Sequence, residues 1–274
     1  MPTTVSHGCE LHYEVIDLVA PWVEEPETIL FNHGLGSGAA AWAEWLPALV
    51  DRYRIVRFDL RGHHGSKKGA EDQPVSFGML CDDSIAVADA AGLDRFHFVG
   101  ESVGGTIGLM LGISHPERLL TLTASNAAHR GEAIESIEPF RNYIAEQGMV
   151  GWSRAMMPKR FPAGALDARV ARWYEAQQAD LSPSIFLDTV AALVEVDLSP
   201  DLPKIAAPVL LLQGDHSPFI PVGVTCALAA LVPNARLQIF AHARHGLPVS
   251  HARSSAAVLR AFLDCRQEPG RVSA

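Results

Sequence analysis

One pentapeptide, Gly100-Glu101-Ser102-Val103-Gly104, constrains the fold of this chain more than any other segment. It follows an apolar run, Phe96-His97-Phe98-Val99, that predicts a short buried strand, and it precedes small and apolar residues, 105–111, that predict a helix. A strand, G-x-S-x-G and a helix in this order predict a tight turn that lifts the serine hydroxyl above a sheet edge. We expect Gly100 and Gly104 to be required, because a side chain at either position would collide where the strand and helix backbones approach.

The rest of the chain also alternates between strand and helix patterns. Short apolar or alternating runs predict strands at 10–15, 28–31, 54–58, 119–123, 209–212 and 237–240. Apolar residues at helical spacing predict helices at 39–50, 82–91 and 252–263. This order predicts the α/β fold class, with a mostly parallel sheet covered by helices on both faces.

Residues 128–202 break this alternation. Four helical patterns and no clear strand occur there, which predicts a helical cap inserted into a core domain made of 1–127 and 203–274. Most of the large apolar residues in the cap are expected to serve packing. We expect Trp152 and Met156 to be among the few that line an apolar substrate pocket.

Composition excludes several classes of function. The net charge is −9 and the basic residues are scattered, which argues against a nucleic-acid-binding surface. No apolar run approaches the roughly 20 residues that cross a bilayer, and residues 1–7 lack the pattern of a secretory signal. The four cysteines lie far apart, so we expect free thiols and no metal site. These features predict a cytoplasmic protein that binds a small molecule.

A reactive serine needs a neighbouring base, and position selects a histidine for Ser102. Three histidines follow the last predicted strand, and His245 precedes Gly246 in a turn that suits a loop reaching back over the sheet. His242 is the alternative, whereas His251 is expected to belong to the final helix. We therefore predict that His245 is the general base.

The base in turn needs a carboxylate that orients it. Asp215 follows the predicted strand 209–212 and is our candidate, although aspartate after glycine is also a common turn residue. The loop Asn32-His33-Gly34-Leu35-Gly36 follows another strand, and its glycines allow backbone N–H groups to face a developing oxyanion. We assign the oxyanion donors to the N–H groups of Leu35 and Val103, and we expect Gly34 to contact the substrate.

Together these motifs resemble the α/β-hydrolase superfamily along nearly the whole chain. The matching segments are 33–36, 59–66, 100–105 and 245–246. Within the superfamily, residues 122–131 and 151–161 are similar to 3-oxoadipate enol-lactonases and related carboxylesterases. The resemblance implies a cap between strands six and seven, the chain order nucleophile, acid, base, and catalysis without a cofactor or metal.

The chain departs from the family pattern at the acid. Relatives usually carry the aspartate three residues after the glycine and before a proline, and here that register places Ser217 before Pro218. Asp215 is the nearby acid. Some relatives supply the acid after strand six, where this chain has Ser125-Asn126, with Glu132 as the nearest carboxylate.

The combined pattern predicts a serine hydrolase that opens a carboxylic ester or lactone through an acyl-serine intermediate. The same scaffold supports hydrolysis of thioesters or C–C bonds, so these reactions remain alternatives. A lyase with the same residues and a ligand-binding, receptor-like homologue are further alternatives.

Overall fold

The computed structural model describes residues 2–67, 74–131 and 137–267. Within these ranges the chain forms an eight-stranded sheet in the order β1-β2-β4-β3-β5-β6-β7-β8. The strands are Thr3–Ser6 (β1), Cys9–Ile16 (β2), Thr28–Asn32 (β3), Arg54–Phe58 (β4), Phe96–Glu101 (β5), Leu119–Ser125 (β6), Val209–Gly214 (β7) and Ala235–Phe240 (β8). β1 and β2 pair antiparallel at one edge, and the strands from β4 to β8 pair parallel.

The α-helices lie between the parallel strands or follow β8. They are Phe77–Ala90 (α1), Val103–Ser114 (α2), Ile137–Arg160 (α3), Ala168–Ala179 (α4), Pro183–Val194 (α5), Val222–Leu231 (α6), Leu247–Ser250 (α7) and Ala252–Gln267 (α8). The mostly parallel sheet with helical connections confirms the predicted α/β fold class. The segment predicted as a helix at 39–50 is a 3-10 helix, Ala39–Ala48, that contains Pro47. A proline removes a backbone donor, which disfavours a regular α-helix there.

Hydrophobic cores cover both faces of the sheet, because successive strand residues point to opposite sides. In β3, Ile29 and Phe31 pack in the same cluster as Trp42 and Trp45 of the 3-10 helix. The intervening Leu30 belongs to the other cluster, with residues of α1, α2 and α5. A sheet buried on both faces is rigid, and it provides fixed positions for the loops at the carboxyl ends of its strands.

In the described residues, the three α-helices α3, α4 and α5 lie between β6 and β7. Two of the predicted helical segments form the single long α3, which is kinked at Gly148, where φ is 66°. The helices agree with the pattern that predicts a cap, and we retain 128–202 as the proposed extent of that cap. In the described part of the chain, no helix combines the length and apolar character that crossing a bilayer requires.

The order of the strands indicates where a ligand would bind. The chain passes from β3 outward to β4 and then returns to β5 on the other side of β3. Loops that follow β3 and β5 therefore diverge from a common point at the carboxyl edge of the sheet, which is where open α/β sheets bind ligands. Ser102 and the 33–38 loop both lie at this point.

Candidate active site

Ser102 lies in a strained turn between β5 and α2. Its backbone has φ 53° and ψ −118°, a conformation that costs free energy for any residue other than glycine. A Cβ atom at Gly100 would lie 2.2 Å from the carbonyl oxygen of Gly104, and one at Gly104 would lie 2.5 Å from the carbonyl oxygen of Asn32. These two contacts give the steric reason for both glycines that the sequence predicts. The observed outlier at the serine is typical of a functional site.

His245 meets Ser102 from the loop after β8. Its Nε2 lies 2.9 Å from the Ser102 Oγ, and the imidazole is buried. Asn126, after β6, holds this loop: its amide nitrogen donates to the His245 carbonyl at 2.9 Å, and its amide oxygen accepts from the Gly214 N–H at 3.0 Å. Asn126 therefore fixes the backbone of the loop that carries His245.

The surroundings of His245 keep its imidazole neutral. Burial lowers its pKa to about 3, and the positive charge of Arg160 acts in the same direction. A neutral imidazole with a free lone pair on Nε2 is the form that accepts a proton from a hydroxyl. At neutral pH the imidazole is therefore in the form that can accept the Ser102 proton.

The structure does not bring Asp215 to His245, contrary to our prediction. The Asp215 carboxylate lies 2.6 Å from His216 Nδ1 and accepts from the Ala243 N–H at 3.1 Å. His245 Nδ1 instead shares a hydrogen bond with Ser217 Oγ at 3.1 Å. The physical reason is register: Asp215 directly follows β7 and serves the turn, and the chain reaches the imidazole only at Ser217. Glu132, the other carboxylate considered, lies outside the described residues.

Glu101 is a site residue that the sequence reasoning missed. It ends β5 with its side chain buried, and its Oε1 lies 3.9 Å from His245 Nε2. The Gly34 N–H bonds the carboxylate, and desolvation raises the Glu101 pKa to about 7, although Arg160 opposes this shift. A carboxylate at the last position of a mainly apolar strand, next to the nucleophile, was the signal that could have identified it.

The predicted oxyanion donors lie beside the serine. Leu35 and Val103 line the same cavity as Ser102 and His245. Val103 is the first residue of α2, so its N–H has no acceptor within the helix. Arg160 donates from Nη2 to the Leu35 carbonyl at 2.9 Å and so holds the loop that carries Leu35.

The cavity above Ser102 is mainly apolar. Trp152 and Met156 from α3 contribute to its wall, as expected, and Trp152 packs on Phe186 with ring centroids 4.5 Å apart. Other wall residues are Phe140, Val190, Leu193, Phe219 and Ile220. Gly34 does not belong to this wall, because its N–H faces the Glu101 carboxylate. Among the described residues no cluster of histidine, cysteine and acidic side chains could hold a metal ion.

Comparisons with known proteins agree with this geometry. A family model described as alpha/beta hydrolase fold matches residues 27–195. A protein named "Putative carbamate hydrolase RutD" from Caulobacter sp. (strain K31) is 31% identical over 244 residues, which cover 86% of this chain and 90% of that protein. A protein of the same name from Caulobacter vibrioides (strain NA1000 / CB15N) is 28% identical over 262 residues, with 93% and 95% covered.

Solved structures show the same fold. The enol-lactonase from Burkholderia xenovorans LB400 superposes with a TM-score of 0.87 at 25% identity and covers 96% of this chain and 100% of its own. A thermophilic esterase from Thermogutta terrifontis superposes with a TM-score of 0.83 at 18% identity, covering 97% and 99%. At that identity the esterase is evidence for the fold alone.

Proposed function

The chain belongs to the α/β-hydrolase family, and we propose that it is a serine hydrolase that cleaves a carboxylic ester or lactone with an apolar portion. The observation that carries this proposal is the 2.9 Å contact between His245 Nε2 and Ser102 Oγ, made by a serine in a strained turn. The apolar cavity that includes Trp152 and Met156 supports an apolar part of the substrate.

In the proposed reaction, Ser102 Oγ attacks the carbonyl carbon while its proton passes to His245 Nε2. The N–H groups of Leu35 and Val103 stabilise the oxyanion that forms. When the tetrahedral intermediate collapses, His245 returns the proton to the leaving alkoxide and an acyl-serine remains. Water then attacks this ester with His245 as its base, which releases the acid and regenerates the serine. No cofactor takes part in these steps.

A carbamate is the second candidate substrate, because the relatives that cover most of this chain carry a carbamate hydrolase name. The carbonyl of a carbamate can be attacked by the same serine, and the same N–H groups would bind its oxyanion. An amine or alkoxide would then leave with the proton from His245. A panel that contains p-nitrophenyl esters, lactones and aryl carbamates distinguishes the two substrate classes by kcat/KM.

The test of the proposed function is Ser102→Ala, with hydrolysis of the best panel substrate as the readout. We expect kcat to fall by about 10⁴-fold or more, as in other serine hydrolases that lose the nucleophile. Ser114→Ala is the matched control, because Ser114 ends the same helix α2 with its side chain bonded to the Met110 carbonyl. Turnover retained by Ser102→Ala would contradict the proposal.

Covalent labelling separates the remaining alternatives. A fluorophosphonate should react with Ser102 in the wild type and not in Ser102→Ala, whereas a ligand-binding homologue would not be labelled. A lyase would form product without incorporating ¹⁸O from labelled water. Incorporation of one ¹⁸O into the released acid is the result expected of the hydrolase.

A further inference from the structure

We propose that Glu101 supplies the negative charge that stabilises the His245 imidazolium, as a positioning and electrostatic residue of the reaction. The inference rests on the proposed function, since it concerns the charged state that His245 reaches when it takes the serine proton. It assigns a role to a buried carboxylate that lies outside the serine–histidine pair.

The need for such a charge follows from Ser217. A base that becomes positive during the reaction is normally opposed by a carboxylate at its Nδ1 side. Here that side faces a hydroxyl, the Ser217 Oγ at 3.1 Å, which also accepts from the Ile220 N–H at 3.3 Å. A hydroxyl can orient the imidazole and fix its tautomer, but it carries no charge to balance an imidazolium.

Glu101 is the carboxylate that lies within ionic range of His245 in the described part of the chain. Its Oε1 lies 3.9 Å from His245 Nε2, and the two side chains are 5% and 4% exposed. The Oε1 atom is buried and has no hydrogen-bond partner among the residues that the structure describes. An unpaired acceptor buried beside a base carries a desolvation cost that is relieved when the base becomes positive.

The position of Glu101 is fixed by elements that also build the site. Its backbone ends β5 one residue before the nucleophile, and its carboxylate accepts from the Gly34 N–H. The carboxylate therefore cannot move far from His245 without disturbing the turn. It is absent from the wall of the substrate cavity, so its removal should affect kcat more than KM.

Other charged or titratable groups face Glu101 from three elements. Arg160 of α3 interacts electrostatically with Glu101, with His245 and with Tyr174 of α4, and His33 lies with Glu101 and Tyr174 around a small neighbouring cavity. Burial keeps His33 neutral, because it lowers its pKa to about 4. Desolvation raises the Glu101 pKa to about 7 despite Arg160, so the carboxylate becomes ionised as pH rises through neutrality.

The proposed step conserves protons and charge. Ser102 Oγ loses its proton to His245 Nε2 as the new bond to the carbonyl carbon forms, and the imidazolium so created lies beside the ionised Glu101. The proton then leaves with the alkoxide and His245 is neutral again. Glu101 itself exchanges no proton in this cycle.

The first experiment is Glu101→Gln, which keeps the size of the side chain and removes the charge. We expect kcat for p-nitrophenyl acetate at pH 8 to fall by about 10- to 100-fold, the range for losing a charged partner, with KM nearly unchanged. The rise of wild-type activity through about pH 7 should be absent from the variant. Equal kcat in the two proteins, or a lower kcat with an unchanged pH profile, would overturn the proposal.

Glu27→Gln is the matched control. Glu27 Oε2 bonds the buried His97 Nε2 at 3.0 Å, so this variant also removes one carboxylate beside a buried histidine, at the other end of β5. We expect its kcat and pH profile to stay close to those of the wild type. A loss equal to that of Glu101→Gln would show that any lost carboxylate lowers activity, and it would also overturn the proposal.

The second experiment places a carboxylate on the Nδ1 side with Ser217→Asp. If Glu101 supplies the missing charge, adding Glu101→Gln to this variant should lower kcat by less than about threefold, because the acid at Nδ1 now opposes the imidazolium. An equal loss in both backgrounds would overturn the proposal. Should Ser217→Asp fail to fold, the pH profile of Glu101→Gln decides alone.

Failure of this inference is distinguishable from failure of the proposed function. Ser102→Ala and fluorophosphonate labelling test the nucleophile without involving Glu101. An enzyme that loses all turnover in Ser102→Ala but is insensitive to Glu101→Gln would keep the proposed function and lose only the role of Glu101.

Discussion

Two buried histidines of this protein have similar partners and different surroundings. His97, near the start of β5, bonds Thr121 Oγ1 through Nδ1 at 2.9 Å and Glu27 through Nε2 at 3.0 Å. His245 also bonds a hydroxyl through Nδ1, that of Ser217, but its Nε2 faces Ser102, and the Glu101 carboxylate is 3.9 Å away. Both imidazoles therefore have a hydroxyl on one side and a carboxylate in reach.

The difference shows what distinguishes a structural histidine from the proposed base. Burial lowers the pKa of both residues, so a perturbed pKa by itself does not identify the base. His97 has both nitrogens bonded to side chains that pack it into the sheet. His245 directs one nitrogen at a serine in a strained turn that borders a cavity. The Glu101 carboxylate near this nitrogen lies beyond hydrogen-bond distance, at 3.9 Å. We infer that reactivity depends on the nitrogen left facing the nucleophile.

The largest expected effect comes from exchanging each histidine for glutamine. His245→Gln should lower kcat by about 10⁴-fold, because the serine loses its base. His97→Gln should leave kcat within about threefold of the wild type and cost about 1–3 kcal/mol of folding free energy through its unsatisfied partners. Kinetics and denaturant unfolding of the two variants measure both quantities. Loss of turnover in His97→Gln would break the comparison.

The second effect concerns the stability of the folded state and the raised pKa of Glu101. Burial raises the Glu101 pKa from 4.5 to about 7, so the folded state holds a proton that the unfolded state has lost between these pH values. The contribution of Glu101 to wild-type stability should therefore fall as pH rises from about 4.5 to about 7 and then level off. The size is about 3 kcal/mol, at about 1.36 kcal/mol per pKa unit.

Glu101→Gln removes this group, so the stability of the variant relative to the wild type should increase over the same pH range. Urea unfolding of both proteins at pH 5 and pH 8 provides the measurement. A stability difference that does not change with pH would contradict the raised pKa of Glu101.

A third, smaller effect is expected on the Nδ1 side of His245. Ser217→Ala removes the hydrogen bond that orients the imidazole, and we expect kcat to fall by about tenfold, equivalent to one neutral hydrogen bond of about 1 kcal/mol or slightly more. Steady-state kinetics with a p-nitrophenyl ester measures the loss. A fall of several thousandfold would indicate that Ser217 does more than orient the base.

The smallest effect is expected from Asp215→Asn. The Asp215 carboxylate bonds His216 and the Ala243 N–H rather than His245, and an asparagine retains an acceptor for that N–H. We expect kcat to change by less than about threefold, measured under the same conditions as Ser217→Ala. A loss larger than that of Ser217→Ala would restore Asp215 as the acid.

Features that rest on backbone sterics could be predicted from the sequence. The two glycines around Ser102 cannot be replaced without a collision with backbone, so the pentapeptide and its flanks predict the turn correctly. The period of apolar residues likewise predicts the parallel sheet and its helices. The edge strand β1 escaped prediction because its Thr-Thr-Val-Ser sequence has one apolar residue among its four and carries little apolar signal.

The partners of His245 could not be predicted in the same way. Which residue after β7 reaches the imidazole depends on one or two positions of loop register. Asp215 was predicted as the acid because it is a carboxylate in this segment, although its side chain does not contact His245. Glu101 depends on a long-range contact between β5 and the loop after β8, to which no local pattern corresponds. Packing in three dimensions decides both.

Arg160 joins parts of the molecule that are far apart in the chain. Its guanidinium binds the Leu35 carbonyl at 2.9 Å, and its own carbonyl accepts from the Gly246 N–H at 2.9 Å. The loops that carry Leu35 and His245 therefore both depend on the position of one residue at the end of α3. A displacement of the end of α3 would disturb both of these loops.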